Sequence, residues 1–197
     1  MSQGSIDRRE RLAVAAGYRD GAAARHSSRV GQVSARLAKA VGMAQDEVLV
    51  LRRAAAWHDV GKVGIPEALL LKPGPLTADE LRIMRTHTTI GARILSGGDT
   101  PVIKMAESIA LSHHERWDGT GYPNRLNGDA IPLSGRIVAV ADAFDALTND
   151  RPYRRKRSVR EALAEITRHR DSQFDGRLVD ALTTALERPK DFRAIPL

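Results

Sequence analysis

Along most of the chain, apolar residues recur every three to four positions, the spacing that lays one apolar stripe along a helix. In residues 27–41, SSRVGQVSARLAKAV, the stripe is Val30, Val33, Leu37 and Val41, with Arg36 and Lys39 off it. AQDEVLVLRRAAAWHDVGK repeats the pattern with acids in its first turn and Gly61 past its last apolar turn, so a helix ends near His58 and Asp59. GIPEALLLKPGPLT carries too many prolines and glycines for more than one short helical turn. Thr77 and Glu80 then form a capping box that opens ADELRIMRTHTTIGARIL, with His87 inside it. Pro101 begins PVIKMAESIALSHHE, and Arg116 to Leu133 is too rich in glycine and proline for a regular element. An ordered loop of that length is usually functional.

RIVAVA, inside LSGRIVAVADAFDALTND, suits a buried strand by composition, but its length and the lack of a partner strand decide for helix. Ser158 and Glu161 form a second capping box, ahead of VREALAEITRH, and Asp175 is placed to cap GRLVDALTTALE. The sum is an all-α single-domain bundle of about seven or eight helices, without repeats. Residues 20–187 form the domain, 1–19 an N-terminal extension and 188–197 a tail.

Composition narrows the chemistry. The 197 residues include no cysteine, which removes disulfides, thiolate metal sites and a cysteine nucleophile together. Any metal must sit on His, Asp, Glu and water. Neither a span of about 20 apolar residues nor a signal-peptide pattern is present, so the expected location is cytoplasmic, with no membrane. The net charge of +7 suggests an anionic partner. Aromatic residues make up only 4%, which disfavours single-stranded nucleic acid, and no helix-turn-helix signature argues for a nucleic acid duplex.

His26, His58, Asp59, His87, His113, His114 and Asp142 stand near helix ends and loops, spread over separate helices apart from the adjacent pairs. Inward side chains from separate helices are how a bundle assembles a polynuclear metal site. A His-Asp pair offers a nitrogen and a carboxylate able to bridge two ions, and the adjacent histidines of HHERWDGTGYP diverge enough to reach two sides of one centre. Taken singly, a histidine such as His26 is more often a satisfied or solvated side chain than a ligand, and His169 fits a cation at a helix C-terminus. Asp145 and Asp150 read as ordinary surface or capping acids. Nitrogen and carboxylate ligands without sulfur suit Fe, Mn, Zn, Co or Ni, and ligand type alone does not choose among them.

HDVGKVGIP, HHERWDGTGYP and DAFDALTNDRPYR, in that order, resemble the HD-GYP domain, a branch of the HD superfamily of metal-dependent phosphohydrolases. The resemblance implies metal ligation by His26, His58, Asp59, His87, His113, His114 and Asp142, with Asp59 bridging two divalent ions, iron first and manganese second. Some relatives carry a Glu that supports a third ion; here that position is Ala22. It implies hydrolysis of cyclic di-GMP to linear pGpG, or onward to GMP, with a bridging hydroxide as attacking group and Asp59 and Lys62 as catalytic residues. Lys62, Arg151 and Arg154 would hold the substrate phosphates, and Gly121, Tyr122 and Pro123 form the GYP motif. That loop is expected to be a turn or a docking surface for diguanylate cyclase (GGDEF) domains rather than a contact to the metals. Two alternatives accompany this: another cyclic dinucleotide such as cyclic GMP-AMP, or a non-catalytic adaptor.

Overall fold

The computed structural model describes residues 21–150 and 155–187. Among them are nine α-helices: α1 (Gly21–Ala40), α2 (Gln45–Ala55), α3 (Glu67–Leu70), α4 (Ala78–Arg85), α5 (His87–Leu95), α6 (Pro101–Ser112), α7 (Leu133–Thr148), α8 (Val159–Arg168) and α9 (Gly176–Glu187). Two 3₁₀ turns, Val60–Gly64 and Gly128–Ala130, interrupt the loops. The β-type pairing among the described residues is one isolated bridge, Arg170 with Phe174. RIVAVA is helical, inside α7. No described helix is long and apolar enough to cross a membrane.

The count exceeds the expected seven or eight for two reasons. The single turn allowed in the proline-rich loop forms as α3, and the helix predicted through His87 is broken at Thr86, which ends α4 and starts α5. The Thr86 hydroxyl donates to the Ile83 carbonyl at 2.6 Å, a local bond that competes with helix continuation. Both predicted capping boxes form, and the Asp175 carboxylate accepts the Arg177 backbone N–H at 3.0 Å, as a cap should.

α6 lies at the centre, packed against α2, α5 and α7, while α1 packs on α2, α7 and α9. Val30, Val33 and Leu37 are buried in this core with Leu51, Ile103, Ile109 and Ile137. Val41 departs from the predicted stripe: it lies one residue beyond α1 and is 36% exposed. The long loop after α6 is tied down at both edges. Trp117 and Asp118 donate their backbone N–H groups to Gln173 and Ser172, and Arg136 and Arg177 stand over the Trp117 ring.

Candidate metal centre

The two ends of this core meet at one spot. α1 supplies His26, the turn after α2 supplies His58 and Asp59, α5 opens with His87, α6 ends at His113 and His114, and α7 supplies Asp142. Gly61 makes the meeting of the first two helical units possible. A Cβ there would lie 1.9 Å from the His87 carbonyl oxygen and 2.4 Å from the Gly91 nitrogen, so only glycine lets the turn carrying His58 and Asp59 sit directly on α5.

The seven side chains fall into two adjoining groups, each with ligand atoms within 4.8 Å of one another: His26, His58 and Asp142, and Asp59, His87, His113 and His114. Asp59 stands between them, with Oδ2 3.3 Å from His58 Nε2 and Oδ1 3.4 Å from His87 Nε2. His26 Nε2 is 3.3 Å from Asp142 Oδ1.

The ring orientations follow one rule. His58, His87 and His113 donate Nδ1–H to the carbonyls of Ala55, Met84 and Ile109 at 2.8–2.9 Å. His26 turns Nδ1 instead to the Asp145 carboxylate at 2.7 Å. With Nδ1 occupied, each neutral ring keeps its lone pair on Nε2, and the Nε2 atoms face the shared space. His58 Nε2 and Asp59 Oδ1 are buried there with no hydrogen-bond partner, which is costly unless a cation completes them. The residues therefore fit divalent cations, nitrogen and carboxylate donors in a closed cluster.

Charge is distributed accordingly. Burial opposes ionisation of Asp59, yet Lys62 and His58 hold its carboxyl well below the usual range. Burial also opposes a charged His26, but its contacts to Asp142 and Asp145 carry it up to about 9. Burial pushes His114 down to about 4, and burial with the neighbouring rings holds His113 well below 6.5. The second group thus presents neutral rings, the form that binds metal.

Lys62 Nζ pairs with Asp59 Oδ2 at 2.5 Å, its side chain 44% exposed at the mouth. Arg151 and Arg154 lie outside the described residues. Among the described part of the basic run, Arg155 and Lys156 are exposed, while Arg157 is half-buried and pairs with Glu165 at 2.8 Å. His169 lies near Glu165, away from the centre, as its helix-end reading requires.

The GYP loop folds against one of the candidate ligands. Tyr122 stacks on the His114 ring with centroids 4.9 Å apart, and Arg85 stands over the Tyr122 ring at 4.9 Å. Gly121 is required because a Cβ would meet the backbone of Glu115 and Arg116 at 2.4–2.7 Å. Glu115, which sequence reasoning passed over, is buried and accepts the backbone N–H groups of Asn124 and Leu126 at 2.7 and 3.1 Å. HHERWDGTGYP thus folds back on itself so that its tyrosine covers its own second histidine. Replacing Glu115 by alanine leaves those donors unsatisfied and is expected to cost about 2 kcal/mol, read as a fall of roughly 4–8 °C in Tm for a chain of this size. Glu115→Gln, which keeps an acceptor, should lose less in the same thermal melt.

The sequence model of the HD domain family matches residues 13–178. This chain belongs to the HD domain family. HDVGK and the GYP motif are the HD-GYP pattern within it. A Thermotoga maritima protein named cyclic di-GMP phosphodiesterase is 46% identical over 181 residues, which cover 88% of this chain and 49% of that protein. A Vibrio cholerae protein named 3'3'-cGAMP-specific phosphodiesterase 2 is 43% identical over 170 residues, 86% of this chain and 32% of that protein. The chain therefore spans half or less of the length of these curated relatives. Among solved structures, a cyclic GMP-AMP specific phosphodiesterase of V. cholerae, V-cGAP3, superposes with a TM-score of 0.65 at 21% identity, covering 85% of this chain and 45% of that one. That likeness shows the fold, which is the HD-type helical bundle.

Proposed function

We propose that this HD domain hydrolyses cyclic di-GMP to linear pGpG, or onward to GMP, at two divalent cations, with iron first and manganese second. The observation that carries the reading is the convergence of seven candidate ligand side chains, with the Nε2 atoms of His26, His58, His87 and His113 turned toward one space by the hold on Nδ1. His26, His58 and Asp142 would hold one cation, His87, His113 and His114 the other, and Asp59 would bridge them. When bound, such a pair supplies Lewis acidity, activating the attacking water and neutralising charge on the phosphodiester.

The chain's own groups do the rest. Lys62, paired with Asp59 and 44% exposed, is the cation placed to meet the negative charge that builds on the phosphoryl oxygens. Arg151 and Arg154 are assigned to the substrate phosphates on the resemblance alone. Beside the centre, Arg85, Gly119, Thr120, Gly121, Tyr122, Pro123 and Arg125 line a cavity of about 420 Å³, and its two arginines suit the half of an anionic dinucleotide remote from the scissile bond. Asn124 and Arg125, exposed on the same loop, are the face proposed for docking a diguanylate cyclase domain.

The relative named for cyclic GMP-AMP favours a second reading, in which that mixed ring is the preferred substrate. A panel of cyclic dinucleotides, with products resolved by chromatography, separates the two. Metal-stripped protein is expected to be inactive, and reloading with Fe²⁺ or Mn²⁺ to restore cyclic di-GMP turnover above that of cyclic GMP-AMP. Loaded protein that leaves cyclic di-GMP intact overturns the first reading.

A further inference from the structure

The four described Nδ1 contacts differ in one respect. Three go to backbone carbonyls, which no substitution changes, while that of His26 goes to the side chain of Asp145. Asp145 is itself held on all sides. Arg29, three residues after His26 on α1, grips it with Nε at 2.6 Å to Oδ1 and Nη2 at 3.0 Å to Oδ2. Asn149, the residue just past the end of α7, donates Nδ2–H to Oδ1 at 3.0 Å. The carboxylate is 3% exposed, so this network forms in a setting where its geometry is fixed and its charge is felt.

We propose that Asp145, clamped by Arg29 and Asn149, is the positioning residue of the metal centre: it holds the His26 ring with Nδ1–H turned inward and Nε2 aimed at the space shared with His58 and Asp142. It touches no proposed cation itself. A carboxylate behind a ligating imidazole fixes the tautomer and raises the donor strength of the far nitrogen, which a backbone carbonyl does more weakly. The placement of Asp142 and Asp145 three residues apart on α7 makes this work, because both then lie on one helix face and reach the same ring from opposite nitrogens. The cation held by His26, His58 and Asp142 is thereby tuned separately from the one held by α5 and α6. This inference rests on reading the site as a two-cation centre.

Mn²⁺ titration of metal-free protein, followed by electron paramagnetic resonance or calorimetry, tests it without any assay of turnover. Wild type should bind two equivalents. In Asp145→Ala, one equivalent is expected to weaken about 10–100-fold while the other keeps its affinity. Asp145→Asn, which retains an uncharged acceptor and the packing, should show a smaller loss in that same equivalent, and it serves as the test if the alanine variant fails to fold. A role in stability alone would lower Tm and leave both affinities in place. Two unchanged equivalents in a folded variant overturn the inference, whereas wild type that binds no Mn²⁺ overturns the two-cation reading beneath it.

Discussion

Replacing Asp59 by alanine is expected to lower cyclic di-GMP hydrolysis by about 10³-fold or more, because cation assistance to phosphodiester cleavage is worth several kcal/mol and each 1.36 kcal/mol is tenfold in rate. Asp59 is the residue whose carboxylate approaches both groups, His58 on one side and His87 on the other. Losing any one histidine leaves a bridging carboxylate and a partial site; losing Asp59 separates the site into halves. The same change should leave the fold standing. Asp59 sits in the turn after α2, makes no part of the apolar core, and its neighbouring helices are held by Leu51, Ile103 and Ile109. Far-UV circular dichroism should therefore match wild type while metal content falls below two equivalents. Adding His58→Ala should strip the remaining metal and abolish hydrolysis. Activity in the Asp59 variant within tenfold of wild type, with metal still bound, would remove Asp59 from the role given to it.

How far sequence reached can be judged from particular residues. Thr77, Ser158 and Asp175 were legible as helix starts because a cap is a local arrangement of side chain and backbone, written within four residues. The seven candidate ligands were legible because their residue types and order repeat a known pattern, and the structure brings all seven together. Asp145 was not. By sequence it is equally well an ordinary helix-surface or capping acid, since nothing along one chain says that α1 will place His26 and Arg29 opposite it. One signal was available: Asp142 and Asp145 share a face at a spacing of three. The break at Thr86 was hidden for a different reason. Its backbone stays in the right-handed helical region, at φ −66° and ψ −13°, so the apolar periodicity continues across it although its N–H bonds the Ile83 carbonyl in a tighter turn. The direction of the Tyr122 ring was not legible, because a loop has no period from which to infer it. The close approach at Gly121, the bond from the Tyr122 backbone N–H to the His114 carbonyl at 3.2 Å and the hold of Glu115 on Asn124 and Leu126 keep it against His114.

A single methyl group at Gly61 should do nearly as much damage as removing a ligand, although Gly61→Ala deletes no donor atom. The added Cβ meets the His87 carbonyl oxygen at 1.9 Å and the His87 carbonyl carbon at 2.9 Å, and both are backbone that cannot rotate away. The 3₁₀ turn from Val60 to Gly64 must then lift off α5, at a cost of about 3 kcal/mol for an over-packed contact and a fall in Tm of roughly 6–12 °C. His58 and Asp59 ride on the residues just before that turn, so lifting it draws Asp59 away from His87, which it approaches to 3.4 Å. A displacement of about 1 Å at a reacting centre is worth roughly a hundredfold in rate. The expected result is a folded protein with lowered Tm, weakened binding of one or both cations, and hydrolysis reduced by about 10²-fold. Saturating metal should recover part of the rate, since the ligands are displaced and not deleted, and that partial recovery separates this variant from Asp59→Ala. A Gly61→Ala protein with wild-type Tm and wild-type turnover would mean that the glycine of HDVGK is not there for the contact with α5, and that the turn holds Asp59 in place by some other means.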